Sequence, residues 1–225
     1  MSKSTARKRR AQPSSNSTYW IIGGVIAAAV VVLGLVLINL MAAPRTPGAP
    51  AQTSAGRVLG NANAPVTIDM YSDFQCPVCR RAELTIKGLA SKYIDTGKAR
   101  VVYHNFAFIG NESTRAALAA ECANEQGKFW DYATYVFDHQ AGENKGAFAD
   151  ANLKRFAEEL KLDTTTFNAC FDSSKHAALI QQELNEGKAL GIKATPSFFI
   201  NGQFVEGLLS PDQFAAVIES FIPKQ

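Results

Sequence analysis

The sequence predicts an α/β fold in which a β-α-β unit is followed by a block of helices and closed by a β-β-α unit. Three observations predict it. APVTIDMYSDF (Ala64 to Phe74) is β-branched and aromatic with partial alternation, and at Cys76-Pro77 it gives way to a helical pattern running to about Tyr93. Residues 111 to about 190 are dominated by Ala, Glu, Leu, Lys and Gln, with Leu118, Cys122, Phe129 and Tyr132 at helical spacing. PSFFI, NGQ and FVEG then read as strand, turn and strand, with Asn201-Gly202 a hairpin signal.

The remaining elements follow from local chemistry. ARVVYHNFAF (Ala99 to Phe108) reads as a second strand, separated from the first helix by Asp95 to Lys98 with its Gly97. A crossover of this length favours parallel strands, and the mixed apolar pattern of the first strand suits a sheet covered on both faces. Within the helical block, helix starts are expected at Asn111, Asp150 and Asp163, because Asn and Asp side chains accept from free backbone amides. Gly187 and Gly191 punctuate its end. Ser210-Pro211 opens the last helix, DQFAAVIESFI, with proline suited to the first turn.

The first 57 residues have a different character. Of 225 residues, 47% are hydrophobic and 19% charged, proportions of a globular chain rather than a disordered or collagen-like one. Residues 1–19 hold Lys3, Arg7, Lys8, Arg9 and Arg10 and no acid, leaving 18 of the 23 basic residues against 20 acids afterwards. The body of the chain is therefore slightly acidic, which argues against a nucleic-acid surface. Residues 20–43 carry no charge, and roughly 20 apolar residues at about 1.5 Å each cross a hydrocarbon core about 30 Å thick. A single transmembrane helix is expected there; a cleaved signal peptide is the alternative, although its apolar region is usually shorter. The basic residues of 1–19 put the N-terminus in the cytoplasm and the remainder on the other side, periplasmic or cell-surface. Residues 44–57, rich in Pro, Gly and Ala, read as an extended tether, and 58–225 as the folded domain.

Two of the four cysteines stand as Cys76-Pro77-Val78-Cys79, where a strand gives way to a helix. A sulfur at a helix start faces unpaired N–H groups and the positive end of the helix dipole, which favours thiolate over thiol. Cys76 is the expected nucleophile, and Cys79, one turn on and less exposed, the resolving cysteine. Pro77 stiffens the turn, and Arg80 and Arg81 add positive charge nearby. A zinc site is disfavoured, because no second C-x-x-C or paired His accompanies this one. A purely structural disulfide at this spacing would be strained. His104, His139 and His176 are isolated from one another and from metal spacing, so packing roles are expected for them.

The run SDFQCPVCRRAE, the helical insertion of about 111–190 and the distant ATPSFFINGQ together resemble the DsbA-like branch of the thioredoxin superfamily, membrane-anchored thiol:disulfide oxidoreductases included. The resemblance covers about residues 58–222 and implies a thioredoxin-like fold with an inserted helical domain. It makes Thr195-Pro196 the cis-proline loop beside the active-site cysteines, with Thr195 offering backbone to an extended client. Strongly oxidising members carry His at the position of Val78; valine cannot hydrogen-bond, so a less depressed Cys76 pKa is expected. The buried acid that many relatives carry six residues before the first cysteine is Met70 here. Asp69 and Asp73 lie nearby; a solvated role is expected for them, with proton relay by one of them as the alternative.

Cys122 and Cys170 lie in separate helices of the insertion and are natural partners for a structural disulfide in an oxidising compartment. Buried free thiols and a second redox relay are the alternatives. The aromatic cluster Phe129, Trp130, Tyr132, Tyr135 and Phe137 is expected to divide between core and a client-binding face. The functional expectation is an oxidase that forms disulfides in secreted or envelope proteins, with reduced or misfolded cysteine-containing clients, a quinone-linked membrane oxidase as partner, and no cofactor of its own. The same dithiol used as a reductase or isomerase is one alternative, and a client-holding module with a dispensable dithiol is another.

Overall fold

A computed structural model of the chain describes residues 55–222. The expected transmembrane span at 20–43 lies outside them, and among the described residues no helix is long and apolar enough to cross a membrane. The domain begins with a 3-10 turn, Ala55–Arg57, and a short strand β1, Val58–Leu59. There follow β2 (Val66–Ser72), α1 (Pro77–Leu89) with a π-helical turn Ala90–Ile94, and β3 (Ala99–Asn105). The helical insertion comprises α2 (Asn111–Asn124), α3 (Phe129–Asp138), α4 (Asp150–Glu159), α5 (Thr164–Asp172) and α6 (Ala177–Ala189). The hairpin β4 (Ser197–Ile200) and β5 (Gln203–Glu206) and the helix α7 (Pro211–Phe221) close the fold.

The sheet runs in the order β1-β3-β2-β4-β5. β2 and β3 are parallel, as the crossover length requires, whereas β1, β4 and β5 pair antiparallel to their neighbours. Side-chain alternation sends Val66, Ile68, Met70, Val101, Tyr103, Phe198 and Ile200 to one face, where they pack with Cys79, Ala82 and Ile86 of α1 and Phe214 and Ile218 of α7. Tyr71, Phe106, Ile192 and Phe199 form a smaller core on the opposite face, with Leu184 of α6 against it. Both faces are covered, which explains why β2 reads as a nearly continuous buried run.

Several boundaries differ from those the sequence suggests, each for a physical reason. β2 stops at Ser72 rather than Phe74 because Asp73 Oδ1 accepts from the Gln75 amide at 2.8 Å and turns the chain. β3 stops at Asn105 rather than Phe108 because the Phe108 and Ile109 amides leave the sheet for Asp73 Oδ2, at 2.9 and 3.1 Å. Asp163 caps α5 as expected, accepting from the Thr165 and Thr166 amides. Asn111 and Asp150 are instead the first residues of their helices, behind Gly110 and Ala149. Asp150 is turned to Arg115, 2.7 Å away. Gly187 does not end α6 but lies inside it, where a Cβ would come 2.6 Å from the Phe106 ring. Gly191, with φ +85, follows the helix end.

The inner end of the tether belongs to the domain. Arg57 is fully buried, with Nη1 2.6 Å from Glu183 and 3.3 Å from Glu121. Asn105 Nδ2 donates to both carboxylates. Burial raises the Glu121 pKa, and the Arg57 guanidinium opposes that rise.

Candidate active site

Cys76 sits at the junction of the Asp73–Gln75 turn and α1, with φ −73 and ψ 118 at the N-cap and Pro77 as the first helical residue. Its carbonyl accepts from the Cys79 amide at 3.1 Å, and no side chain caps the helix, so the first-turn amides face the sulfur. The two cysteines are free thiols, Cys76 6% exposed and Cys79 fully buried. Cys79 is therefore the less exposed of the two, as the sequence suggests.

The electrostatics reinforce that difference. A hydrogen bond from the Cys79 thiol, with help from the Thr195 hydroxyl and the Cys79 and Val78 amides, pulls the Cys76 thiol down to about 6 against the opposing effect of burial. Burial pushes the Cys79 thiol well up, and the neighbouring Cys76 charge adds to that. Cys76 is thus the thiolate at neutral pH and Cys79 its proton-bearing donor. Arg80 is half exposed and turned to Asp138 at 3.3 Å.

The peptide bond between Thr195 and Pro196 is cis. The loop brings the Thr195 carbonyl oxygen 3.3 Å from Cys76 Sγ, so the protonated thiol donates to it. The Thr195 hydroxyl is buried with no oxygen or nitrogen partner and favours charge on both sulfurs. Cys122 and Cys170 form a disulfide between α2 and α5, with their Cα atoms 5.8 Å apart. Its sulfurs and a His176 ring nitrogen lie within 4.8 Å of one another, so His176 is not remote from the other ligand-type residues. His104 is buried, with Nε2 2.9 Å from Asp69, and stacks on Tyr71.

Asp69 and Asp73 are both buried, contrary to the solvated role expected of them. Asp73 accepts from the Gln75, Phe108 and Ile109 amides and from the Ser113 hydroxyl, and burial raises its pKa despite those donors. It is the knot of the loop that carries Cys76. Gln75 extends the knot: its Nε2 donates to Ser113 Oγ at 2.9 Å and its Oε1 accepts from the Asn144 amide at 2.6 Å. Gln140 Nε2 donates to the Phe74 carbonyl at 2.6 Å. Gln75, Ser113, Gln140 and Asn144 carry no sequence signal, since polar residues in turns are ordinary. Of the aromatic cluster, Phe129, Tyr132 and Phe137 are core, while Trp130 and Tyr135 line an open groove of about 550 Å³ with Met70, Glu83 and Ile86.

A low-pKa cysteine at a helix start, a buried partner three residues on and a carbonyl from the cis-proline loop define the class: this is a thiol:disulfide oxidoreductase of DsbA-like, thioredoxin-fold architecture. The chain belongs to the thioredoxin family, whose model, described as Thioredoxin, matches residues 52–220. It is 26% identical to the Probable disulfide bond formation protein D of Bacillus anthracis over 205 residues, 88% of this chain and 93% of that one. It is also 31% identical to Na(+)/H(+) antiporter NhaA 3 of Salinispora tropica over 173 residues, 76% of this chain. The chain spans only 25% of that antiporter's length. Among solved structures, oxidised BdbD from Bacillus subtilis superposes with a TM-score of 0.68 at 26% identity, covering 73% of this chain and 91% of that one.

Proposed function

We propose that the protein is an oxidase tethered to the membrane by residues 20–43, with its catalytic domain outside the cytoplasm, forming disulfides in secreted or envelope proteins. The observation that carries this reading is the asymmetry of the dithiol, with Cys76 held at about 6 and Cys79 pushed well above the ordinary thiol range. Stabilising the thiolate stabilises the reduced form, and that makes the disulfide form a stronger oxidant. The relative named for disulfide bond formation in Bacillus anthracis, matched over most of both chains, supports the same direction.

In the working cycle a client thiolate attacks Cys76 Sγ of the Cys76–Cys79 disulfide, and the electron pair of the broken bond leaves on Cys79. The client's second thiolate then attacks the client sulfur of the mixed disulfide. Its disulfide forms, and Cys76 departs as the thiolate. The extended client pairs its backbone with Thr195. A quinone-linked membrane protein reoxidises the dithiol, and no bound cofactor takes part.

Equilibration of the full chain in glutathione buffers tests the direction of flow. A potential well above that of thioredoxin, about −270 mV, is expected, and a value at or below it would make the protein a reductase. Replacing Cys76→Ser separates catalysis from client holding, because an oxidase loses its cellular function and a holdase keeps it.

A further inference from the structure

Ser72 and Tyr103 are buried at 1% and 0% exposure. Neither the Ser72 nor the Tyr103 hydroxyl oxygen has a hydrogen-bond partner. A buried hydroxyl without a partner is costly, so two on one sheet call for an explanation. The sheet supplies one. In the parallel register of β2 and β3, Met70 stands opposite Tyr103 and Ser72 opposite Asn105, which puts Ser72 and Tyr103 on the same face. That is the face on which α1 lays Cys79.

We propose that Ser72 and Tyr103 form a hydroxyl donor chain to the Cys79 sulfur, which stabilises the negative charge that arrives there when the Cys76–Cys79 bond opens. Cys79 is fully buried, so its leaving thiolate finds no water. β2 places Met70 and Ser72 on that face, so no carboxyl from this stretch of the strand meets the charge either. A hydroxyl meets the need differently, because it donates to the anion and brings no charge of its own. Ser72 lies beside both Cys79 and Tyr103 and favours charge on either, in keeping with its place in the middle of the chain.

The electron count is simple. The attacking thiolate's pair forms the new S–S bond to Cys76 Sγ, and the pair of the old bond moves onto Cys79 Sγ. The Ser72 O–H turns to that sulfur and the Tyr103 O–H to the Ser72 oxygen, and neither hydroxyl gives up its proton. Ser72 is therefore a catalytic residue for bond opening, and Tyr103 a positioning residue behind it. The inference rests on the dithiol chemistry alone, so a small-thiol assay tests it without regard to client or direction of flow.

The test is the rate at which dithiothreitol opens the disulfide in the full chain, measured beside the equilibrium constant with glutathione. Ser72→Ala should slow opening about tenfold and Tyr103→Phe about threefold, with the double variant no slower than Ser72→Ala. Ser72→Thr should restore the rate to within about twofold, and the equilibrium constants should change far less than the rates, because the donated bond is strongest while charge is on sulfur. Wild-type opening in a folded Ser72→Ala protein would overturn the proposal, as would an equilibrium shift as large as the rate change. If Ser72→Ala does not fold, Tyr103→Phe decides: slower opening at an unchanged equilibrium supports the chain, and an unchanged rate overturns it.

Discussion

The side-chain amide of Gln140 donates to the main-chain carbonyl oxygen of Cys76 at 3.1 Å. Gln140 follows α3, so this bond and its companion to Phe74 fasten the catalytic turn to the helical insertion. The insertion thereby fixes the orientation of the cysteine that the sheet and α1 deliver.

Removing that fastening is expected to loosen the turn without unfolding the domain. Gln140→Ala should cost about 1–2 kcal/mol, since the two carbonyls regain water only in part. Urea unfolding measures the loss. Disulfide opening by dithiothreitol should also slow severalfold, and an unchanged rate would show that the turn holds its shape without Gln140.

The pH dependence follows from Cys76. Iodoacetamide alkylation of the reduced protein should reach half its maximal rate near pH 6, the value to which the site pulls this thiol. The folded pKa lies below the unfolded one, so the resulting stability of the reduced form is complete above the unfolded pKa, about 8.5. It is lost as pH falls through about 6. Across that window the slope is at most about 1.4 kcal/mol per pH unit. The raised pKa of Cys79 acts only above the ordinary thiol range. Urea midpoints at pH 5 and pH 8 should therefore rise for the reduced form relative to the disulfide form, and an equal change in both would contradict the assignment.

Arg57 stands with no exposure between Glu121 and Glu183. Arg57→Met would leave two buried carboxylates without their counter-charge, and a loss of about 3–5 kcal/mol is expected. Thermal unfolding reads it. A shift of a degree or less would mean that the carboxylates take up protons at little cost.

The Cys122–Cys170 disulfide joins positions 48 residues apart, between α2 and α5 of the helical insertion. Replacing both with Ala should destabilise the domain by about 2–4 kcal/mol. Opening of the Cys76–Cys79 disulfide should stay within twofold of wild type, and a larger change would assign the second pair a share of the redox chemistry.

The features legible in the sequence are those whose cause lies within a few residues. Pro77 at the first position of α1, Ser210-Pro211 at the start of α7 and the Asn201-Gly202 turn with φ 46 and 85 are set by local sterics and hydrogen bonding. The parallel pairing of β2 and β3 follows from the crossover length in the same way. The dithiol itself was visible because its spacing is a property of one helical turn. Tertiary structure alone decided what surrounds it. The Thr195 carbonyl reaches Cys76 across 119 residues, Asp73 gathers donors from as far as Ser113, and Arg57 lies buried although its neighbours in sequence read as tether. A side chain's type names the bonds it can make, but its burial and its partners depend on which distant segments the fold brings within a few ångströms, and that sets both the charge on Cys76 and the hydroxyls beneath Cys79.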